Sequence, residues 1–156
     1  MKKVRDFMTR NVITCSPEDT IFDVAKKLSE NAISGMPVVD KGKLVGIISV
    51  SDIVKFMKNE IKNEDLIPEE PHSIPFILMK MIQNELKIKK ELEKISKIKV
   101  KHVMSKKVIT ISPDASLADA AELLVKKRIT RVPVIENGKI VGILTKSDLV
   151  KALVEI

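Results

Sequence analysis

Three observations predict an α+β fold made of two copies of one small unit. They are a gapless internal repeat, an alternation of helix-period and strand-period apolar patterns in each copy, and glycine turns at matching positions. Displacing the 156-residue sequence by 96 positions lays Met8–Met57 on Met104–Leu153, and twenty-one of the fifty pairs are identical. Val-Ile-Thr at Val12 recurs at Val108, Ser16-Pro17 at Ser112-Pro113, Pro37-Val38 at Pro133-Val134, and Val45-Gly46-Ile47 at Val141-Gly142-Ile143. The lead-in repeats as well, with Val4 falling on Val100.

Each copy opens with an apolar strand (Val12–Cys15; Val108–Ile111) ended by the Ser-Pro turn. An amphipathic helix follows from about Thr20 or Ser116, where a hydroxyl with Asp23 or Asp119 three residues later has the spacing of a capping box. A hairpin comes next, Met36–Val39 with Leu44–Ile48 and Val132–Ile135 with Ile140–Leu144. Its turns, Lys41-Gly42 and Asn137-Gly138, supply the positive φ that a tight hairpin demands. A closing helix follows near Asp52 or Asp148. Three strands and two helices in about 50 residues bury too little apolar area to be comfortable alone, so each copy needs a partner. The gapless duplication supplies one: two three-stranded units packed about a pseudo-twofold axis, with two symmetric clefts at the junction. The domains are then 1–57, the linker 58–99 and 100–156.

The unrepeated linker carries Pro68, Pro71 and Pro75 and reads as a helix from about Ser73. Leu78, Met81, Ile88, Leu92 and Ile95 keep a three-four spacing, interrupted at Glu85, so one face is apolar. That stripe is expected to pack on the module's own core, with a homodimer or partner surface as the alternative.

With no Trp or Tyr, the core has to be built from Val, Ile, Leu and Met. No run approaches the roughly 20 apolar residues of a membrane span. The opening Met1-Lys2-Lys3-Val4-Arg5-Asp6 lacks the apolar run of a secretion signal, so a cytoplasmic protein without membrane contact is expected. Cys15 is single and reads as a small core side chain, and His72 and His102 stand apart from it and from each other, so no metal or cofactor is expected. The net charge of +7 suits either the Lys- and Glu-rich surface of a heat-adapted protein or a polyanion partner.

The candidate site residues lie where each hairpin runs into its closing helix. Gly46-Ile47-Ile48-Ser49-Val50-Ser51-Asp52 is matched by Gly142-Ile143-Leu144-Thr145-Lys146-Ser147-Asp148. A hydroxyl followed three residues later by a carboxylate is read equally well as a helix cap and as a ligand site. Exposed first-turn amides favour an anion, and an Asp accepts hydrogen bonds from both hydroxyls of a ribose.

The ordered set of these motifs, twice over, resembles a tandem pair of CBS domains (cystathionine β-synthase domains), or Bateman module. The carriers are Ser-Pro after the first strand, Met-Pro-Val-Val-Asp at Met36, Val-Pro-Val-Ile-Glu at Val132, the glycine turns and the Gly-x-x-[Ser/Thr]-x-x-Asp endings. The resemblance implies a regulatory module that binds AMP, ADP, ATP or S-adenosylmethionine and relays the event to an effector protein. It places Asp52 and Asp148 on the ribose, with Ser49 and Thr145 beside them. It also draws each adenine-facing wall from the opposite repeat: Met104, Ile109, Thr130, Arg131 and Val132 for the Asp52 cleft, and Met8, Ile13, Ser34, Gly35 and Met36 for the Asp148 cleft. Arg131 has Gly35 as its counterpart, so the Asp52 cleft is expected to suit the more highly charged nucleotide.

Catalysis is not expected, because no phosphate loop, dinucleotide fingerprint, metal spacing or Ser-His-Asp set is present. Two rivals remain. One is a nucleic-acid-binding protein that uses the basic linker helix, and the other is an oligomerisation scaffold without a ligand.

Overall fold

A computed structural model of the chain describes residues 2–61 and 73–155; Pro68, Pro71 and His72 lie outside the described residues. In chain order the elements are α1 (Ile21–Asn31), β1 (Gly35–Asp40), β2 (Lys43–Ser49), α2 (Val50–Glu60), α3 (Ile74–Ser96), α4 (Leu117–Lys126), β3 (Arg131–Glu136), β4 (Lys139–Thr145) and α5 (Lys146–Lys151). Short 3₁₀ turns at Val4–Asp6 and Val100–His102 precede the two repeats.

The repeat is as regular in structure as in sequence. α1 starts at Thr20 and α4 at Ser116, each with a complete capping box. The chain leaves each of these helices through a left-handed residue at equivalent positions, Ala32 and Arg128. Both hairpin turns have consecutive positive φ values, at Lys41 (50°) and Gly42 (80°) and at Asn137 (52°) and Gly138 (76°), as a two-residue turn that matches strand twist requires.

Each hairpin forms a two-stranded sheet, and the expected first strand contributes a single residue to it. Cys15 bridges Val38 in parallel, accepting from the Val39 amide (2.8 Å) and donating to the Pro37 carbonyl (3.1 Å). Ile111 does the same between Pro133 and Ile135. The reason is proline. Extending a parallel ladder backwards needs an N–H from Pro37 or Pro133, and extending it forwards needs one from Pro17 or Pro113, and none of these exists.

The chain forms two compact units, one of Met1–Pro17, Gly35–Ile47 and Ser105–Ile156, the other of Glu18–Ser34 and Ile48–Met104. The first unit has a core of Val4, Met8, Ala120, Leu124, Val132, Val134 and Leu144. Val4 and Met8 thus serve the second repeat's core, though they come from the lead-in to the first. Val4 donates to the Ala115 carbonyl and Arg5 to that of Pro113, while Thr9 exchanges two 2.9 Å bonds with Ile143 in β4. At the equivalent position, Ser105 from the second lead-in exchanges bonds with Ile47 of β2. The Arg5 guanidinium ties this arrangement down on Asp114 (2.7 Å) and Glu136 (3.4 Å).

In the second unit Val100 donates to Asp19, Ile21 donates to Ile98, and α3 lies against α1 and α2. Glu18 accepts from Lys99 (2.6 Å) and Lys101 (2.9 Å), which pulls its carboxyl down to about 2. The Arg5 hydrogen bond lowers Asp114 in the same sense, as the Thr20 backbone amide does Asp23. Carboxyls held below their unfolded values contribute stability that is present above the ordinary carboxylate range and lost as pH falls through the folded values. The melting temperature is therefore expected to drop between about pH 4.5 and 2. Glu18→Gln should flatten that drop, and because these groups are exposed 1 M salt should flatten it too. Melting curves across this range, with and without salt, check the expectation.

The linker helix is where structure and sequence reading part. α3 runs as expected from a Ser73 cap with Pro75 in its first turn. Of the predicted apolar stripe, however, only Ile95 is buried, and Leu78, Met81, Ile88 and Leu92 are exposed. The side turned inward follows a line through Ile77, Asn84, Glu91 and Ile95, polar in its middle. An apolar stripe marks where a helix wants cover, and among the described residues the core does not provide it for Leu78, Met81, Ile88 and Leu92.

Candidate functional site

Both hydroxyl–carboxylate pairs form caps. Ser49 and Thr145 are the N-caps of α2 and α5, so Asp52 and Asp148 sit at the third helical position. Asp52 Oδ2 accepts from the Ser49 amide (3.0 Å) and hydroxyl (3.0 Å), and the Asp52 amide donates back to Ser49 Oγ (3.2 Å). Asp148 Oδ2 accepts from the Thr145 amide (2.9 Å), and the Asp148 amide donates to Thr145 Oγ1 (3.3 Å). In each box one carboxylate oxygen does the capping. The other, Oδ1, is left for a further donor, so the two readings of the motif are compatible. The cap fixes the side chain's rotamer and thereby aims the second oxygen.

The two acids differ in burial. Asp148 is 6% exposed, the one buried charged side chain among the described residues, while Asp52 is half-buried. Among the described residues Asp148 Oδ1 is paired with Lys151, at 3.9 Å, on a side chain that is mostly in solvent. A buried carboxylate generally needs close hydrogen-bond donors to offset its desolvation, and an exposed lysine at that range is a weak one.

Most of the residues assigned to the Asp148 cleft belong to the first unit: Met8, Ile13, Gly35 and Met36, with Thr145 and Asp148 themselves. Ser34 belongs to the second unit, where its carbonyl accepts from the Val50 amide (2.9 Å), the first residue of α2. Of the Asp52 set, Ser49, Asp52 and Met104 belong to the second unit, and Ile109, Thr130, Arg131 and Val132 to the first. Within the first unit the Thr130 carbonyl accepts from the Lys146 amide (3.1 Å), and Arg131 stands opposite Thr145 in the β3–β4 ladder. The Arg131 guanidinium lies on Gly35: a Cβ there would fall 2.6 Å from Nη1 and 2.7 Å from Cζ. Arg131, assigned to the Asp52 cleft, thus rests on a residue assigned to the Asp148 cleft. Gly35 is the vacancy that admits it.

Lys151 was not singled out from the sequence, and Gly142 entered only as the opening residue of its motif. Lys151 lies one helical turn beyond Asp148, a spacing shared by countless surface pairs. Gly142 follows a bulge at Val141 in β4, and a Cβ on it would sit 2.5 Å from Met8 Sδ and 3.0 Å from the Thr9 carbonyl oxygen. A lone glycine in a strand marks such a bulge or close approach, so that signal was available.

Comparison with known proteins places this geometry. The family model for the CBS domain matches residues 4–59 and 100–155. The protein MJ1426 of Methanocaldococcus jannaschii is 39% identical over 97% of this chain and 90% of its own length. Three further curated relatives from that organism are matched over only 39 to 46% of their lengths. Among solved structures, CBSX2 of Arabidopsis thaliana in complex with AMP superposes with a TM-score of 0.73 at 26% identity, covering 100% of this chain and 99% of its own. MJ0100 in complex with 5-methylthioadenosine and S-adenosyl-L-methionine does so at 0.68 and 25% identity, covering 99% and 98%. Among the described residues no helix is long and apolar enough to cross a membrane.

Proposed function

The chain belongs to the CBS domain family, and on that footing we propose that it is a non-catalytic regulatory module that senses an adenosine-containing ligand through Asp148. The carrying observation is the buried Asp148 carboxylate, held by its cap through Oδ2 and, among the described residues, with the exposed Lys151 at 3.9 Å from Oδ1. Two vicinal hydroxyls of a ribose are the donors such an oxygen lacks. Met8, 8% exposed and in the same unit, supplies apolar, polarisable surface for a flat base. Arg131, opposite Thr145, supplies a cation for a phosphate or carboxylate on the ligand. That the relatives CBSX2 and MJ0100 are solved with AMP and with methylthioadenosine and S-adenosylmethionine supports the ligand class.

Regulation follows from the exchanged lead-ins. Met8 both lines the proposed site and, with Val4, fills the core under the second repeat, so a ligand seated on Met8 bears on how the N-terminal segment is held. A ligand shifts such an arrangement only by its differential affinity for two states. Small-angle scattering is expected to change on saturation with ligand, and an unchanged profile removes the relay while leaving binding intact.

The test of binding is a thermal-shift panel of AMP, ADP, ATP, S-adenosylmethionine, methylthioadenosine and GTP on nucleotide-free protein, with calorimetry on each hit. Ligand at a hundred times its dissociation constant adds about 2.7 kcal/mol, a rise of several degrees. A shift confined to adenosine compounds and lost in Asp148→Ala supports the sensor. Silence across the panel returns the chain to the scaffold reading.

The nucleic-acid alternative loses ground on α3. Its lysines are interleaved with Glu85, Glu91 and Glu93, and nine large apolar side chains are exposed along it, unlike a phosphate-tracking surface.

A further inference from the structure

Helix α3 is inside out with respect to its own unit. The side facing inward includes Asn84 and Glu91, while Ile74 (72% exposed), Met79 (60%), Ile82 (59%) and Leu86 (56%) face solvent. From residue 74 to 88 the apolar surface wraps about half of the helix, because Met79, Ile82 and Leu86 form a second row beside the Leu78–Met81–Ile88 stripe. Nine large apolar side chains of α3 are exposed to 39% or more. Together they present on the order of 800 Å² of apolar surface, well beyond the largest patch of an ordinary monomer and about what each partner contributes to a stable interface.

We propose that this face is covered by α3 of a second copy of the chain, in an antiparallel pair with its twofold axis at Ile82. Two features select that occupant and orientation. The row Leu78–Ile82–Leu86 is symmetric about Ile82, so an axis there sets Ile82 against its own copy and Leu78 against Leu86 of the other chain, as a self-complementary interface needs. The lysines are one-sided: Lys87, Lys89, Lys90 and Lys94 crowd the C-terminal half, whereas Lys80 is the only basic residue from 74 to 86. Parallel pairing would bring both lysine clusters together and set Glu85 against Glu85; antiparallel pairing sends the clusters to opposite ends. The half from 87 to 96 sets four lysines against Glu91 and Glu93, while the half from 74 to 86 balances Lys80 with Glu85, and that imbalance selects the antiparallel orientation. Leu78→Leu86 contacts along this row are spaced four residues apart, the ridge used in the commonest helix-on-helix packing.

The proposal does not depend on ligand binding, and its test reads assembly alone. Sedimentation of the full chain at 1 to 100 μM should show a dimer, and Ile82→Lys and Leu78→Glu should each weaken it at least a hundredfold. Both positions are exposed in the single chain, so circular dichroism should show each variant folded with an unchanged melting curve at concentrations where the wild type is monomeric. An Ile82→Cys variant should cross-link to itself under mild oxidation, whereas Lys90→Cys, away from the axis, should not. Three outcomes would overturn the proposal: a wild-type chain monomeric at 100 μM, a dimer that Ile82→Lys and Leu78→Glu leave intact, or cross-linking through Lys90→Cys in preference to Ile82→Cys. Binding of the monomer to phosphatidylglycerol vesicles, abolished by Ile82→Lys, would assign the face to a lipid surface and overturn it as well.

Discussion

Gly142→Ala should destabilise the chain by about 1–3 kcal/mol, a fall in melting temperature of several degrees for a chain of this size. Alanine at an open strand position is close to harmless, so an effect of this size must come from what surrounds the glycine. The added Cβ would sit 2.5 Å from Met8 Sδ, 2.9 Å from Met8 Cγ and 3.0 Å from the Thr9 carbonyl oxygen. Methionine can swing aside. The Thr9 carbonyl cannot, because the Ile143 amide holds it at 2.9 Å and Thr9 donates back at the same distance. The methyl group therefore displaces the bridge by which the N-terminal segment joins β4, and with it the seating of Val4 and Met8 in the core. Met8→Ala costs a core side chain on its own, about 2–5 kcal/mol. In the double variant the Sδ clash is gone while the Thr9 contact remains, so the two losses should sum to less than their separate values by roughly 1 kcal/mol. Denaturant melts of the four proteins decide it. A Gly142→Ala loss within 0.5 kcal/mol, or strict additivity, would show that the backbone there yields freely.

How much of this was legible beforehand depended on whether a feature is local. The hairpins were, since Lys41-Gly42 and Asn137-Gly138 admit few turns and the alternation around them sets the register. So were the caps, because a hydroxyl and a carboxylate three apart need only one turn of helix to meet. The first strand was misread in extent, and the residues responsible are in the sequence: Pro17, Pro37, Pro113 and Pro133 remove the N–H groups a longer ladder would use. Propensity showed an extended segment, but the pairing depended on a neighbouring strand. The inward side of α3 was harder still. The Leu78–Leu92 stripe is the strongest apolar signal on that helix, and periodicity alone does not say which molecule covers it.

The candidate site was readable as a set of residue types and not as a set of neighbours. Asp148 and Asp52 have the same motif, yet one is buried and the other half-exposed, a difference that arises from packing around α5 and α2 rather than from their identical Ser-Asp endings. Arg131 was assigned through the family resemblance, and the structure lays its guanidinium on Gly35, the equivalent position in the other repeat, which has no side chain.

Asp148→Asn should lower affinity for the adenosine ligand by about a hundredfold while costing the fold about 1 kcal/mol or less. The small cost follows from the cap: an amide oxygen still accepts from the Thr145 amide, and only the charge beside the helix's first turn is lost. The large one follows from the proposed role of Oδ1, since a hydrogen bond to a charged acceptor contributes about 1.5–3 kcal/mol and a ribose presents two such donors. Removing the 2′-hydroxyl from the ligand provides the discriminating comparison. Wild-type protein should bind the 2′-deoxy compound about tenfold more weakly than the ribo compound, and in Asp148→Asn that difference should largely vanish, because donor and acceptor are then lost once and not twice. If calorimetry finds the same tenfold penalty in both proteins, the hydroxyl is read by another residue, and the buried carboxylate of Asp148 is a helix cap and nothing more.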